Sequence, residues 1–281
     1  MTCKGSVLLI EAQRNGEIFE IRTKFVNTSN FKDFSSYLFL IFLRRGFLHL
    51  ILILPCNMNF LSHYYFDRLN ADAHVVMGTV LPDLIKNASK EANLYPQKNE
   101  FLFTGNPDEE SLLYGWKRHL AVDLLFHSSN FFLEKTTELK FLIIPVVEHT
   151  PVRPSFLAHI GLELLLDHLL IEHNLIQVHH FYDKLSAVKT DSLSDFLEHC
   201  NLSNPAQFFA FLDRFISSKY LLSYQKLENL SYALNRICMR LWPESLKEEK
   251  LNELTLQLGI FKNILERDFM DIFDEIESKL I

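Results

Sequence analysis

YGWKRHLAVDLLFH, residues 114–127, sets His119, Asp123 and His127 four residues apart among Leu, Val, Phe and Trp. In an α-helix a four-residue step advances about one turn and returns to nearly the same face. The three side chains therefore form one stripe about 12 Å long, with Trp116, Leu120 and Leu124 on or beside it. Such a helix turns two imidazoles and a carboxylate toward the side it should bury. Burying an unpaired carboxylate costs several kcal/mol, comparable with a small domain's whole net stability. Either an internal hydrogen-bond network or a bound cation must satisfy it.

A second stretch repeats the pattern. SFLAHIGLELLLDHLLIEH, residues 155–173, spaces His159, Glu163 and Asp167 by four amid Leu and Ile. Two helices with matching acid–imidazole stripes can meet in a bundle core and ligate metal between them. Imidazole nitrogen and carboxylate oxygen are donors that divalent zinc, manganese or iron accept. His63, in the apolar MNFLSHYYF, and Asp83, in GTVLPDL beside Gly78 and Pro82, complete the set. The expected ligands are His63, Asp83, His119, Asp123, His127, His159 and Glu163, around one to three ions, zinc first and manganese or iron as alternatives. Asp167 and His168 would support them from behind. Arg118 and Arg153 are the candidates to clamp a phosphate.

The chain around these stripes reads as helical. Of 281 residues, 48% are apolar, and only 8 Gly and 9 Pro interrupt them. Apolar positions recur every three or four residues, which predicts helices near 58–69, 71–87, 109–134, 154–176, 178–187, 191–200, 205–221, 223–241 and 245–280. The expected fold is all-α, a single multi-helix bundle with a metal site between core helices. Net charge is −7 with no polybasic block, which argues against a grip on duplex nucleic acid. Four cysteines without a CxxC pair point to a reducing compartment, the cytoplasm, and to no thiolate metal site.

Residues 1–57 differ from the rest. They carry net charge +3 against −10 for the remainder, and they hold an apolar run split by Arg44 and Arg45. The pieces 37–43 and 46–56 are each too short for a membrane span of about 20 residues. The expected division is a non-native or disordered extension over 1–57 and a helical domain over 58–281, with Met58 as the physiological start.

GTVLPD, YGWKRHLAVDLLFH and HIGLELLLD together resemble the zinc-dependent phospholipase C family, which includes the N-terminal domain of glycosylphosphatidylinositol-specific phospholipase D. That resemblance implies metal ligands at Asp83, His119, Asp123, His127, His159 and Glu163. It lacks the family's further histidine, since residues 84–118 contain none. A competing resemblance rests on the opening MNFLSH, the Asp83 region, the H-x-x-x-D spacing and the Asp167-His168-Leu169-Leu170 segment. These are similar to acyl-carrier-protein phosphodiesterase, a helical hydrolase that releases phosphopantetheine with a divalent metal. That family usually has Asp where His127 stands.

Both resemblances imply a metal-dependent hydrolase of phosphodiesters. Bound metal would lower the pKa of a water and offset phosphoryl charge, with Asp83 or Asp123 bridging ions or acting on the water. The substrate would be a lipid, a pantetheinyl protein or a nucleotide. The rival from another class is a metal-binding helical protein without turnover.

Overall fold

In a computed structural model of the chain, the described residues are 6–15, 18–27, 41–44, 47–50, 60–242 and 246–280. The chain divides into two compact units, Met1–Cys56 and Asn57–Ile281. In the first, β1 (Ser6–Asn15) pairs antiparallel with β2 (Ile18–Asn27), from Ser6 opposite Asn27 to Asn15 opposite Ile18. A shorter antiparallel pair joins β3 (Ile41–Arg44) to β4 (Phe47–Leu50). Met58, Cys3, Cys56 and much of the apolar run lie outside the described residues.

The second unit is all-α, as its apolar periodicity predicts. Its helices are α1 (Phe60–Asp67), α2 (Ala73–Ala88), α3 (Pro107–His127), α4 (Asn130–Val147), α5 (Pro154–Glu172), α6 (Val178–Ser186), α7 (Thr190–His199), α8 (Pro205–Ser218), α9 (Leu227–Cys238), α10 (Glu248–Leu265) and α11 (Phe269–Lys279). Short polar residues fix several starts. Asp72 accepts from the His74 N–H, Asn106 from Asp108 and Asn204 from Gln207, each satisfying a donor that the first turn leaves free. Pro107 then opens α3, and Asp108, Glu109 and Glu110 suit the positive end of its dipole.

One stretch and two boundaries depart from the sequence expectation: α4 continues over residues 135–147, where no helix was expected. The helix expected over 109–134 stops at His127, because Ser128 and Ser129 donate their hydroxyls to the Leu124 and Phe126 carbonyls at 2.6 and 2.7 Å. Ser129 also accepts from the Phe132 N–H at 3.0 Å and starts α4. Serine side chains that bond nearby backbone offer the chain an alternative to continued helix. The long last helix is likewise two, α10 and α11, with Asp268 between them bonded to Lys135 of α4 at 2.6 Å.

α5 forms the axis of the bundle. Every residue from 160 to 171 is buried, and the helix packs against α4, α9, α1 and α10. It is long and apolar enough to cross a membrane, yet 78% of that window is buried inside the fold. Fully burying each Leu is worth roughly 1.5–3 kcal/mol, so this helix is driven inward despite its acids. Beside it, α2 and α3 make the most extensive helix pairing of the unit. They approach through Gly78 and Gly115: a Cβ on Gly78 would sit 2.2 Å from the Leu112 carbonyl oxygen, and one on Gly115 2.2 Å from that of Val75. Only hydrogen fits at either position. This contact brings Asp83 of α2 level with His119 of α3.

Candidate metal centre

Four helices aim imidazole and carboxylate groups at one region. Its inner part comes from α1, α2 and α3, where one ligand atom from each of buried His63, Asp83 and His119 lies within 4.8 Å of the others. His119 Nε2 is 3.7 Å from Asp83 Oδ1 and 3.6 Å from Asp123 Oδ2, and His63 Nε2 is 3.3 Å from Asp123 Oδ1. The His63 and His119 rings stack with centroids 3.9 Å apart. The outer part joins α3 to α5: His127 Nε2 lies 3.2 Å from His159 Nε2 and 3.3 Å from Glu163 Oε1, while His159 Nε2 is 3.0 Å from the same oxygen. Asp123 stands between the two parts, with Oδ1 4.0 Å from His127 Nδ1. Its side chain is 38% exposed, whereas those of His63, Asp83 and His119 are 1–2% exposed.

Backbone carbonyls decide which ring nitrogens face inward. His119 donates its Nδ1–H to the Thr79 carbonyl at 2.9 Å, and His127 donates its Nδ1–H to the Asp123 carbonyl at 2.9 Å. A carbonyl only accepts, so both rings commit their Nδ1 proton to the main chain; neutral His119 then turns an Nε2 lone pair toward the carboxylates, and His127 turns its Nε2 toward Glu163. Fixing the outer nitrogen in this way is the usual support for a metal-ligating histidine. Phe132 packs edge-on against both His127 and His159, its centroid 4.9 Å from each.

The electrostatics mark a site with more carboxylates than permanent cations to neutralise them. Burial pushes the Asp83 carboxyl up to about 7, and the nearby acids add to this while His119 opposes it. Burial and the His63 ring push His119 down, and the neighbouring acids oppose them. Burial opposes ionisation of Asp123, but His119, His63 and His127 outweigh it and hold that carboxyl well below its ordinary range. Burial likewise opposes charge on His127, yet Glu163 and Asp123 raise it to about 9. Among the described residues, no lysine or arginine pairs with Asp83, Asp123 or Glu163. Asp83 Oδ2 and Glu163 Oε2 are buried without any hydrogen-bond partner. Buried acceptors left bare in this way, next to imidazole lone pairs, fit a divalent cation.

The remaining candidates hold the helices or stand apart. Asp167 accepts the Leu61 and Ser62 N–H groups at 3.2 and 2.7 Å and the Ser62 hydroxyl at 2.6 Å, so α5 caps the first turn of α1 just before His63. His168 donates Nδ1–H to the Tyr224 carbonyl at 2.7 Å. Arg118 grips Asp67, its Nε 2.9 Å from Oδ1, and Thr79 donates to the other oxygen at 2.9 Å. Arg153 is the N-cap residue of α5 and is exposed. Sequence reasoning did not select Asp67, Thr79, Ser62 or Phe132. Their roles come from contacts between distant segments, or from a main-chain oxygen, and no local spacing signals either.

A comparison with protein families matches residues 58–276 to the family described as acyl carrier protein phosphodiesterase. The comparisons with curated proteins and with solved structures found no match. Of the two resemblances read from the sequence, the family comparison supports the second and gives nothing for phospholipase C.

Proposed function

The chain belongs to the acyl carrier protein phosphodiesterase family, and from that premise we propose that it hydrolyses the phosphodiester joining phosphopantetheine to a carrier protein, using divalent metal held by its His/Asp/Glu cluster. The observation that carries this reading is the convergence of His63, Asp83, His119 and Asp123, with the His119 Nε2 lone pair turned inward and a buried carboxylate oxygen left bare. Water adds to phosphorus, the bond from phosphorus to the carrier's oxygen breaks, and that oxygen takes up the proton. The products are free 4′-phosphopantetheine and a carrier with its hydroxyl restored. Zinc is the first candidate metal, and manganese and iron are alternatives.

Bound metal would supply Lewis acidity, lowering the pKa of a water and offsetting phosphoryl charge. His63, Asp83 and His119 would hold it in the buried part of the site. Asp123 is the carboxylate with the most solvent access, so it is placed to orient the attacking water by accepting its hydrogen bond. Arg118 is held by Asp67 and positions α1 against α3, whereas Arg153 remains available to meet a phosphate or the acidic surface of a carrier. The bundle buries the inner ligands and leaves the outer histidines, His127 and His159, partly open to solvent, which suits a substrate whose reactive group enters at the end of a long arm.

The test offers holo-acyl carrier protein and phosphatidylcholine side by side to the purified protein, with products read by mass spectrometry. Release of phosphopantetheine, lost after chelation and reduced at least 100-fold in His119→Ala, is the expected result. Cleavage of the lipid alone would restore the phospholipase reading. Stoichiometric metal with neither substrate cleaved would leave a binding protein.

A further inference from the structure

Three groups of His and acid side chains lie close enough to share an ion, and they differ in what already neutralises them. In the group Glu172, His173 and Glu266, Lys262 sits within 2.5 Å of Glu172 and 3.1 Å of Glu266. That group has its cation. Among the described residues, His127, His159 and Glu163 have no lysine or arginine beside them, only the imidazoles themselves. Glu163 is 2% exposed and its Oε2 has no partner.

The spacing of this outer group is informative. Donors around a tetrahedral ion with bonds near 2.0–2.1 Å sit about 3.3 Å from one another. The three atoms here are separated by 3.2, 3.3 and 3.0 Å. Two Nε2 atoms only 3.2 Å apart need a proton or a cation between them, because two bare lone pairs repel. His127 is oriented by the Asp123 carbonyl, Phe132 fixes both rings, and the two histidine side chains are 22% exposed. Three protein ligands with one face open to solvent form the coordination pattern of a catalytic zinc.

We propose that His127, His159 and Glu163 bind a second divalent ion of zinc type, separate from the ion held by His63, Asp83 and His119, with Asp123 between the two. The centre is then dinuclear and unequal: an inner ion closed in by the helices, and an outer ion whose open position takes a phosphoryl oxygen of the diester. This deepens the metal-dependent phosphodiesterase reading and rests on it, but it is tested by counting ions.

The full chain is stripped with chelator, titrated with zinc by calorimetry, and analysed for bound metal after desalting. Two ions per chain are expected. His159→Ala and the near-isosteric Glu163→Gln should each leave one, and so should His63→Ala; Glu266→Gln should leave two. Refilling with cobalt(II) should give a visible spectrum that loses intensity in His159→Ala. Circular dichroism checks that each variant is folded. One ion in the unaltered chain, or two in both folded His159→Ala and Glu163→Gln, overturns the second site, a proton then bridging the two rings. Loss of phosphopantetheine release in His119→Ala would still uphold the phosphodiesterase reading in that case. Absence of any bound ion would overturn both.

Discussion

Asp83 shows what the fold gives up to keep a ligand. Burial holds its carboxyl near 7 in the metal-free chain, against about 3.9 when unfolded. Between about pH 4 and pH 7 the unfolded chain releases this proton and the folded chain retains it, so this residue's contribution to stability is full in acid and is lost as pH rises through that window. Asp83→Asn removes the titration. Melted in chelator, the variant is expected to exceed the parent by several °C at pH 8 and to match it near pH 4, while its zinc affinity drops. An equal melting difference at both pH values would count against the buried, proton-holding carboxyl. The stripes themselves were plain in the sequence, since a four-residue repeat of His and acid inside an apolar helix has one geometric meaning. The link from Asp167 to α1 was not, because it joins residues 105 and 106 positions apart.

The crossing of α2 and α3 sets the inner site at the next scale. Alanine at Gly78 or Gly115 would place a carbon 2.2 Å from a main-chain oxygen of the other helix, so the helices must separate. Such overpacking costs roughly 1–3 kcal/mol. Gly115→Ala is expected to lower the urea midpoint by that margin and to weaken metal binding, because Asp83 and His119 move apart with their helices. Gly259→Ala on α10, whose nearest neighbour would be 3.6 Å away, should change stability by no more than about 1 kcal/mol. Comparable midpoints for the two alanine variants would refute the tight crossing. Both glycines were visible in the sequence, but not that they meet, since positions 37 residues apart carry no local code for it. Most helix interiors were legible from periodicity, but residues 135–147 of α4 were not. The ends at 127–130 and 265–269 were not, because two serines and one Lys–Asp pair decide them and no glycine or proline marks the spot.

All seven expected ligands lie in the unit Asn57–Ile281, and the family match falls within it at 58–276. A chain beginning at Met58 is therefore expected to melt within about 2 °C of the full chain and to bind the same number of ions, as read by calorimetry and metal analysis. A large loss of either would show that the strands before Met58 belong to the working protein. The division of labour within this unit also bears on how such a centre can drift over generations. Two of its imidazoles are oriented by main-chain oxygens, Thr79 and Asp123, and a peptide carbonyl survives any substitution of the residue that bears it. The residues bearing those two carbonyls are therefore not needed for the ring orientation itself, so that part of the donor geometry is inherited through helix placement rather than through particular side chains.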